Sequence, residues 1–182
     1  MSSVATIKRN VIPPHLEVKG GYTLSGILKV SGAKNSSLVL MAAALLTKER
    51  LLIKNVPQLT DINVMAEILS NLGAKLTKKN NSIEINSESI HNAELPYQLV
   101  HSLRASFFCI GPLLARLGVA KIPLPGGCNI GARPVDEHIN GLKALGAEVE
   151  VNNDVVKAQV STKNKRLRGA NITLKYPSVG AT

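Results

Sequence analysis

Cys128, Arg133, Asp136 and His138 stand close together in Leu124-Pro-Gly-Gly-Cys128-Asn-Ile-Gly131-Ala-Arg133-Pro-Val-Asp136-Glu-His138. The stretch reads as a glycine-rich loop running into an apolar-periodic helix. It gathers a thiol, a guanidinium, a carboxylate and an imidazole. Gly126 and Gly127 admit backbone angles closed to other residues and let a ligand approach the main chain. Pro134 suits a helix that begins there, since its missing N–H is no loss in the first turn. Arg133 and the free N–H groups of that helix start make a place for an anion. The same positive surroundings stabilise a thiolate and lower the pKa of Cys128 below the free-thiol value of about 8.5. Most cysteines are buried and inert. Cys109, in the apolar run Ser106-Phe-Phe-Cys109-Ile, fits that default, and Cys128 among glycines and polar residues does not.

The elements that must position this loop come from an ordinary aliphatic chain. It has 182 residues, 45% of them hydrophobic and 3% aromatic, which bounds it to one globular domain or part of a larger one. Two cysteines make no disulfide framework. The longest apolar run, Leu38 to Leu46, is far short of the roughly 20 residues that span a bilayer, and no signal peptide is visible. A cytoplasmic protein is expected. The net charge of +10 raises nucleic-acid binding. Lysines are scattered along the chain, however, the densest group being Lys163-Asn-Lys165-Arg166-Leu-Arg168, and few aromatics are available for stacking. A solvated basic surface, or a site for small anions, fits this pattern better.

Leu16 to Lys19 and Gly26 to Ser31 read as short strands with a turn at Gly20-Gly21. Ser31-Gly32-Ala33-Lys34-Asn35 opens a helix to about Lys48 that is apolar nearly all round and should be buried. Leu51 to Val56 is a strand closed by Pro57. Thr60-Asp61 caps a helix with Ile62, Met65, Ile68, Leu69 and Leu72 on one face, ended by Gly73. A hairpin turns at Asn80-Asn81. A second pass follows: a long helix over Tyr97 to Arg116, a strand over Val119 to Leu124, the loop, a helix ending in Leu145-Gly146-Ala147, and another hairpin. Leu72-Gly73-Ala74 answers Leu145-Gly146-Ala147. From the proline to that leucine the interval is 15 residues in the first pass (Pro57 to Leu72) and 20 in the second (Pro125 to Leu145). The extra residues are the cysteine loop, so the pattern is an internal repeat with a candidate site inserted in one copy. A third copy starts, with Leu167-Arg-Gly169 echoing Leu24-Ser-Gly26 and Ser178-Val-Gly180-Ala181 echoing Ser31-Gly32-Ala33, and then stops. The expectation is a new strand there, in a chain that lacks the remainder of that unit.

Ser31-Gly-Ala-Lys-Asn35, Asn55-Val-Pro57, Arg104-Ala-Ser106, Leu124-Pro-Gly-Gly-Cys128, Gly131-Ala-Arg-Pro-Val-Asp136, Gly141-Leu142 and Ser178-Val-Gly-Ala-Thr182 resemble the UDP-N-acetylglucosamine 1-carboxyvinyltransferases, a family of enolpyruvyl transferases. The match runs in the family's order from about Leu16 to Thr182. The resemblance implies an α/β fold of α+β repeats, the EPSP synthase-like inside-out α/β barrel, with two complete repeats and the start of a third. It implies an N-terminal extension over 1–14 and a first strand over 15–21 that belongs to a missing second lobe. Residues 22–182 would be an incomplete catalytic lobe, with repeats at about 22–92 and 93–162 and a truncated one at 163–182. The implied reaction moves the enolpyruvyl group of phosphoenolpyruvate onto the 3′-hydroxyl of UDP-N-acetylglucosamine, the first committed step of peptidoglycan synthesis. It uses no metal and no organic cofactor, and neither nucleic acid nor membrane is an implied partner.

By the same resemblance, Cys128 is the loop cysteine that adds to phosphoenolpyruvate and that fosfomycin alkylates. Lys34 and Arg133 hold phosphoenolpyruvate, a point charge and a planar fork for its phosphate and carboxylate. Asn35 contacts the amino sugar, and Arg104 lines the cleft. Arg133, Pro134, Val135 and Asp136 hold the uridine, and Ser178, Val179 and Gly180 form the turn over the diphosphate. Tyr176 departs from the pattern, standing where some members carry lysine. His138 and Asp136 also have structural readings, at a helix start where a carboxylate complements the dipole. The family's base and a further arginine fall in the missing part, so turnover by this chain alone is expected to be at background. The competing readings are a sister enzyme such as 5-enolpyruvylshikimate-3-phosphate synthase, and a non-catalytic anion- or nucleic-acid-binding fragment.

Overall fold

The computed structural model of the protein describes residues 15–124, 134–161 and 166–182. Contacts divide the chain into two units, with the boundary between Val30 and Ser31.

In the first unit, residues 15–30 form neither helix nor strand, and Leu16, Val18, Leu24, Ile27 and Leu28 are exposed. The strands expected at Leu16 to Lys19 and Gly26 to Ser31 are therefore absent. A strand needs a neighbour to take its N–H and C=O groups, and no described ladder offers one to these residues. Gly21 does take the left-handed backbone of a turn glycine, with φ +92.

The second unit carries both passes of the repeat. The first contains α1 (Lys34–Ala43), β1 (Arg50–Lys54), α2 (Thr60–Asn71), β2 (Lys75–Lys79) and β3 (Ser82–Asn86). The second contains α3 (Tyr97–Ser102), α4 (Ile110–Leu117), β4 (Val119–Pro123), α5 (Asp136–Ala144), β5 (Ala147–Asn152) and β6 (Val155–Val160). Each pass folds its strands into the same sheet, β1-β3-β2 and β4-β6-β5, with every neighbouring pair antiparallel. The first and second strands of each pass are thus parallel, joined by a helix, with the third strand lying between them. The registers correspond: Ile85 sits between Leu51 and Leu76, and Ala158 between Ala120 and Val149.

The alternation along the central strands shows why. Ile83 and Ile85 on β3, and Val156 and Ala158 on β6, are buried between more exposed neighbours, the period of a strand with one face on a core. Both hairpins use two-residue loops, with positive φ at Asn80 in one and at Asn153 and Asp154 in the other, the backbone that tight hairpins require. Gly73 (φ +103) and Gly146 (φ +90) end the two equivalent helices in the left-handed conformation.

One apolar core runs through both passes, from Leu38, Met41 and Leu45 through Met65, Ile68 and Leu69 to Leu113, Leu114, Ile122 and Val156. α1 touches α2 and the 3-10 turn Arg104–Cys109, and α4 touches the 3-10 turn Ala44–Leu46. The passes are also tied by polar contacts. The Arg116 guanidinium at the end of α4 donates to the carbonyls of Leu45 and Thr47, both at 2.9 Å, and reaches that of Glu88 at 3.5 Å. The first two are carbonyls at the end of a helix, where such groups have no partner inside it.

Two helices differ from expectation. α1 is not buried all round: Val39 and Leu40 are about half exposed, as is Leu46 in the 3-10 turn that follows, because no described element covers that face. The single helix over Tyr97 to Arg116 is instead α3, an extended residue at Leu103 (φ −138, ψ 98), the 3-10 turn Arg104–Cys109, and α4. Pro112 has no N–H to give the carbonyl of Phe108, and its ring clashes with that carbonyl in an α-helix, so the residues ahead of it tighten. The hydroxyls of Ser102 and Ser106 bond back to the carbonyls of Leu99 and Leu103, which competes with helical continuation.

Candidate active site

Lys34 is the first residue of α1. The chain reaches it through Gly32, which lies so close to the main chain of Asn55 that a Cβ there would come within 1.7 Å of the Asn55 carbonyl oxygen. The following turn is fixed by Ser37, whose N–H and hydroxyl both bond to the Ala33 carbonyl. A cation at a helix start opposes the dipole. In this fold the Lys34 Nζ meets the Asp61 carboxylate at 2.7 Å, and Asp61 lies in the first turn of α2. Both side chains keep contact with solvent, 46% and 35% exposed, so the pair is worth little to stability and an incoming anion can compete for the lysine. Sequence reasoning assigned Asp61 only a capping role. The N-cap is Leu59 without a side-chain bond, and Asp61 is the partner of the candidate lysine. Asn35 is exposed next to Lys34.

A second cluster surrounds the start of α5. That helix begins at Asp136, two residues after the Pro134 start expected, with Val135 as N-cap. Pro134 is exposed and Val135 buried. Asp136 and Glu137 put two carboxylates in the first turn, the favourable end of the dipole. Residues 166–182 pack back against this helix start without forming the third-unit strand that was expected. The Lys175 N–H donates to the buried Glu137 carboxylate at 2.8 Å, and the Tyr176 hydroxyl donates to Asp136 at 2.5 Å. Ser178 closes a turn, its carbonyl accepting the N–H and hydroxyl of Thr182. Gly180 sits against His138, where a Cβ would lie 3.0 Å from Nε2, and Val179 is exposed.

Arg104, at the head of its 3-10 turn, completes this cluster. Its charge acts on both His138 and Tyr176. Burial and then Arg104 hold the His138 pKa below its ordinary value, so the imidazole is neutral at pH 7. It meets the Phe107 ring edge to face at 5.2 Å, and its Nδ1 is buried with no hydrogen-bond partner. Beside it, Phe107, His138, Leu142, Ile172 and Gly180 wall an open, largely apolar hollow of about 430 Å³. A second hollow, of about 480 Å³, lies at the β1–α2 connection and is lined by Pro57 and Thr60. Lys34 and Asn35 line neither.

The structure therefore brings Arg104, Asp136 and the 178–180 turn together, and among the described residues α1, which begins at Lys34 and Asn35, packs on the 104–109 turn. Cys128 and Arg133, the other two candidates for the reacting end, lie outside the described residues. Glu137 and Tyr176 had no place among the candidate site residues. The signal that could have flagged Tyr176 was its departure from the pattern of the resemblance. Among the described residues no group of three metal-ligating side chains occurs, and no helix is long and apolar enough to cross a membrane.

Of the two thiols, Cys109 lies within the described residues. Cys109 is fully buried, and desolvation pushes its pKa up to about 12. Brief iodoacetamide treatment at neutral pH should leave Cys109 unlabelled and modify Cys128, as read by peptide mass spectrometry. Label on Cys109 alone would contradict both readings.

The family model described as EPSP synthase (3-phosphoshikimate 1-carboxyvinyltransferase) matches residues 18–182, and the chain belongs to that family. A protein of Prochlorococcus marinus (strain NATL2A) named UDP-N-acetylglucosamine 1-carboxyvinyltransferase is 89% identical over 182 residues, all of this chain and 40% of that protein. One of the same name from strain MIT 9313 is 58% identical over the whole chain and 42% of its own length. The chain thus spans about two fifths of the curated relatives it matches. Among solved structures, the enolpyruvyl transferase NikO from Streptomyces tendae aligns with a TM-score of 0.68 at 25% identity, over 82% of this chain and 32% of that one. EPSP synthase from Acinetobacter baumannii aligns at 0.64 with 15% identity, over 86% of this chain and 36% of that one, a likeness of fold alone. The repeated helix-and-sheet units are those of the EPSP synthase fold.

Proposed function

We propose that this chain forms part of the catalytic lobe of an enolpyruvyl transferase that acts on UDP-N-acetylglucosamine. The enolpyruvyl group of phosphoenolpyruvate passes to the sugar 3′-hydroxyl and inorganic phosphate leaves, a cytoplasmic step of peptidoglycan synthesis. The observation that carries the choice of acceptor is the 89% identity, over the whole chain, to a relative named for that reaction. The geometry supports it with two separate stations. Lys34, ion-paired to a carboxylate that an anion can displace, suits the phosphate of phosphoenolpyruvate. Arg104, Asp136 and the Ser178–Gly180 turn suit the sugar nucleotide.

The chemistry asks the protein for little covalent work. The hydroxyl adds to C2 of phosphoenolpyruvate while C3 gains a proton; phosphate then leaves C2 and C3 gives up a proton. Negative charge gathers on the phosphate throughout, and a fixed cation stabilises it most where it is greatest. Lys34 has that role, together with Arg133, and Cys128 is the thiol at the reacting carbons. Asn35 orients the amino sugar, and Pro134 and Val135 sit along the uridine. The remainder of the site, including the base for the hydroxyl, lies in a part outside this chain.

The test joins this chain to the unmatched part of the Prochlorococcus marinus (strain NATL2A) relative and measures phosphate release. Release that depends on both phosphoenolpyruvate and UDP-N-acetylglucosamine is expected, and shikimate 3-phosphate should not replace the sugar nucleotide. A folded chimera at background with the sugar nucleotide, or one that prefers shikimate 3-phosphate, would refute the assignment.

A further inference from the structure

Two consecutive residues in the first turn of α5 hold the Ser178–Gly180 turn from both sides. Ahead of it, the Glu137 carboxylate accepts the Lys175 N–H at 2.8 Å. At its far end the His138 imidazole bonds the Gly180 main chain, so close that a Cβ on Gly180 would lie 3.0 Å from Nε2. Glu137 is 2% exposed, and among the described residues it is the one buried charged side chain. We infer that Glu137 is a positioning residue for the sugar nucleotide, its buried carboxylate fixing the Ser178–Gly180 turn in place before any ligand arrives. This rests on the reading of that turn as part of the nucleotide site.

Burying a carboxylate is costly unless its oxygens are paired. Among the described residues no lysine or arginine forms an ion pair with Glu137. Its partners are the Lys175 N–H and, at 3.4 Å, the Asn140 amide. The bond to Lys175 reaches the turn through few soft torsions, because only Tyr176 and Pro177 intervene. The proline ring fixes its own φ and keeps Tyr176 extended. Within the turn, the Ser178 hydroxyl accepts the Ala181 N–H at 3.3 Å and its carbonyl accepts the Thr182 N–H at 3.1 Å. Val179 at the tip is 98% exposed and lends no core contact. The place of the turn is therefore set by its anchors.

A neighbouring bond, from the Tyr176 hydroxyl to Asp136, joins the same two segments, but Asp136 is exposed. Water competes for a bond in solvent and not for one that is buried, so Glu137 is the stronger anchor. Main-chain groups already in position cost less to order when a ligand binds. The sign of the effect separates this role from a direct electrostatic one. A negative charge near a diphosphate opposes its binding, so a carboxylate acting through charge would weaken the nucleotide. A carboxylate acting through its reach to Lys175 strengthens it.

The experiment compares two conservative variants in the active chimera. Glu137→Asp keeps the charge and draws the acceptor back by one methylene. It should raise the KM for UDP-N-acetylglucosamine and weaken competitive inhibition by UDP, each roughly tenfold, the scale of one lost hydrogen bond to a charged group. The KM for phosphoenolpyruvate should stay at the wild-type value. Glu137→Gln loses the charge and keeps the reach, since its amide oxygen still accepts the Lys175 N–H, and both nucleotide values should stay near wild type. In the wild-type chimera without ligand, the Lys175 amide should exchange slowly with deuterium. A Glu137→Asp protein that binds UDP as well as wild type, an equal rise in its KM for phosphoenolpyruvate, a loss in Glu137→Gln as large as in Glu137→Asp, or fast exchange at Lys175 would each overturn the inference while the wild-type chimera still turns over. No transfer by the wild-type chimera would instead remove the functional reading, and this inference with it.

Discussion

Gly32→Ala is expected to unfold at a markedly lower temperature and to lose transferase activity in the chimera. A new Cβ at 1.7 Å from a backbone oxygen cannot be relieved by a rotamer, because the atom it meets belongs to the main chain. The Asn55 backbone is itself in the left-handed region, at φ +56, where a residue other than glycine has little room to move. Forcing these segments apart should cost about 3 kcal/mol, the upper part of the range for overpacking. For a chain of this size that is roughly 6–12 °C in melting temperature. Because Lys34 lies only two residues on, what displaces Gly32 also misplaces the lysine. Gly169→Ala is the control, since a Cβ there meets nothing within 4 Å. Thermal melts and phosphate-release assays of the two variants side by side check the expectation, and a Gly32→Ala protein that melts and works like wild type would contradict the packing described.

Lys34→Met should show the opposite division between stability and activity. Its ion pair with Asp61 is half exposed, and such pairs contribute at most about 1 kcal/mol. The melting temperature should therefore change little. In the chimera, kcat/KM for phosphoenolpyruvate should fall by roughly two to three orders of magnitude, the effect of removing one preorganised charge-stabilising group. Lys121→Met provides the comparison. Lys121 pairs with Glu94 at 3.4 Å and is equally exposed, but it lies on β4, away from the cluster described. Kinetics for both variants distinguish a lysine that binds substrate from one that decorates the surface, and equal behaviour of the two would argue against a role for Lys34.

How much of this was legible in the chain depends on where each signal resides. The two hairpins, the α2 face and the Leu-Gly-Ala helix ends could be read because they follow from local chemistry: asparagines at positive φ, a 3.6-residue apolar period, glycine at a left-handed stop. The internal repeat was legible for the same reason, and both passes build the same three-stranded sheet. A continuous helix over 97–116 does not form because the effect of Pro112 falls on residues before it, where composition still favours helix. The strands expected at 16–19, 26–31 and in the third unit do not form because strand residues take that shape only beside a partner, and none of the described strands pairs with them. In the site, Lys34, Arg104, Asp136 and the 178–180 turn were put forward by the family resemblance rather than by spacing. The bonds that join distant segments, Lys34 to Asp61 and Tyr176 to Asp136, are set by packing and leave no mark on local spacing.

The Arg116 side chain has a consequence for how the protein comes apart. Stacked repeats that share only apolar faces can loosen one at a time, each melting as its own module. In this chain a side chain from the second repeat completes the hydrogen bonds at the helix end of the first. Releasing either repeat strands a guanidinium and orphans carbonyls in the other, so the two should denature as one cooperative block.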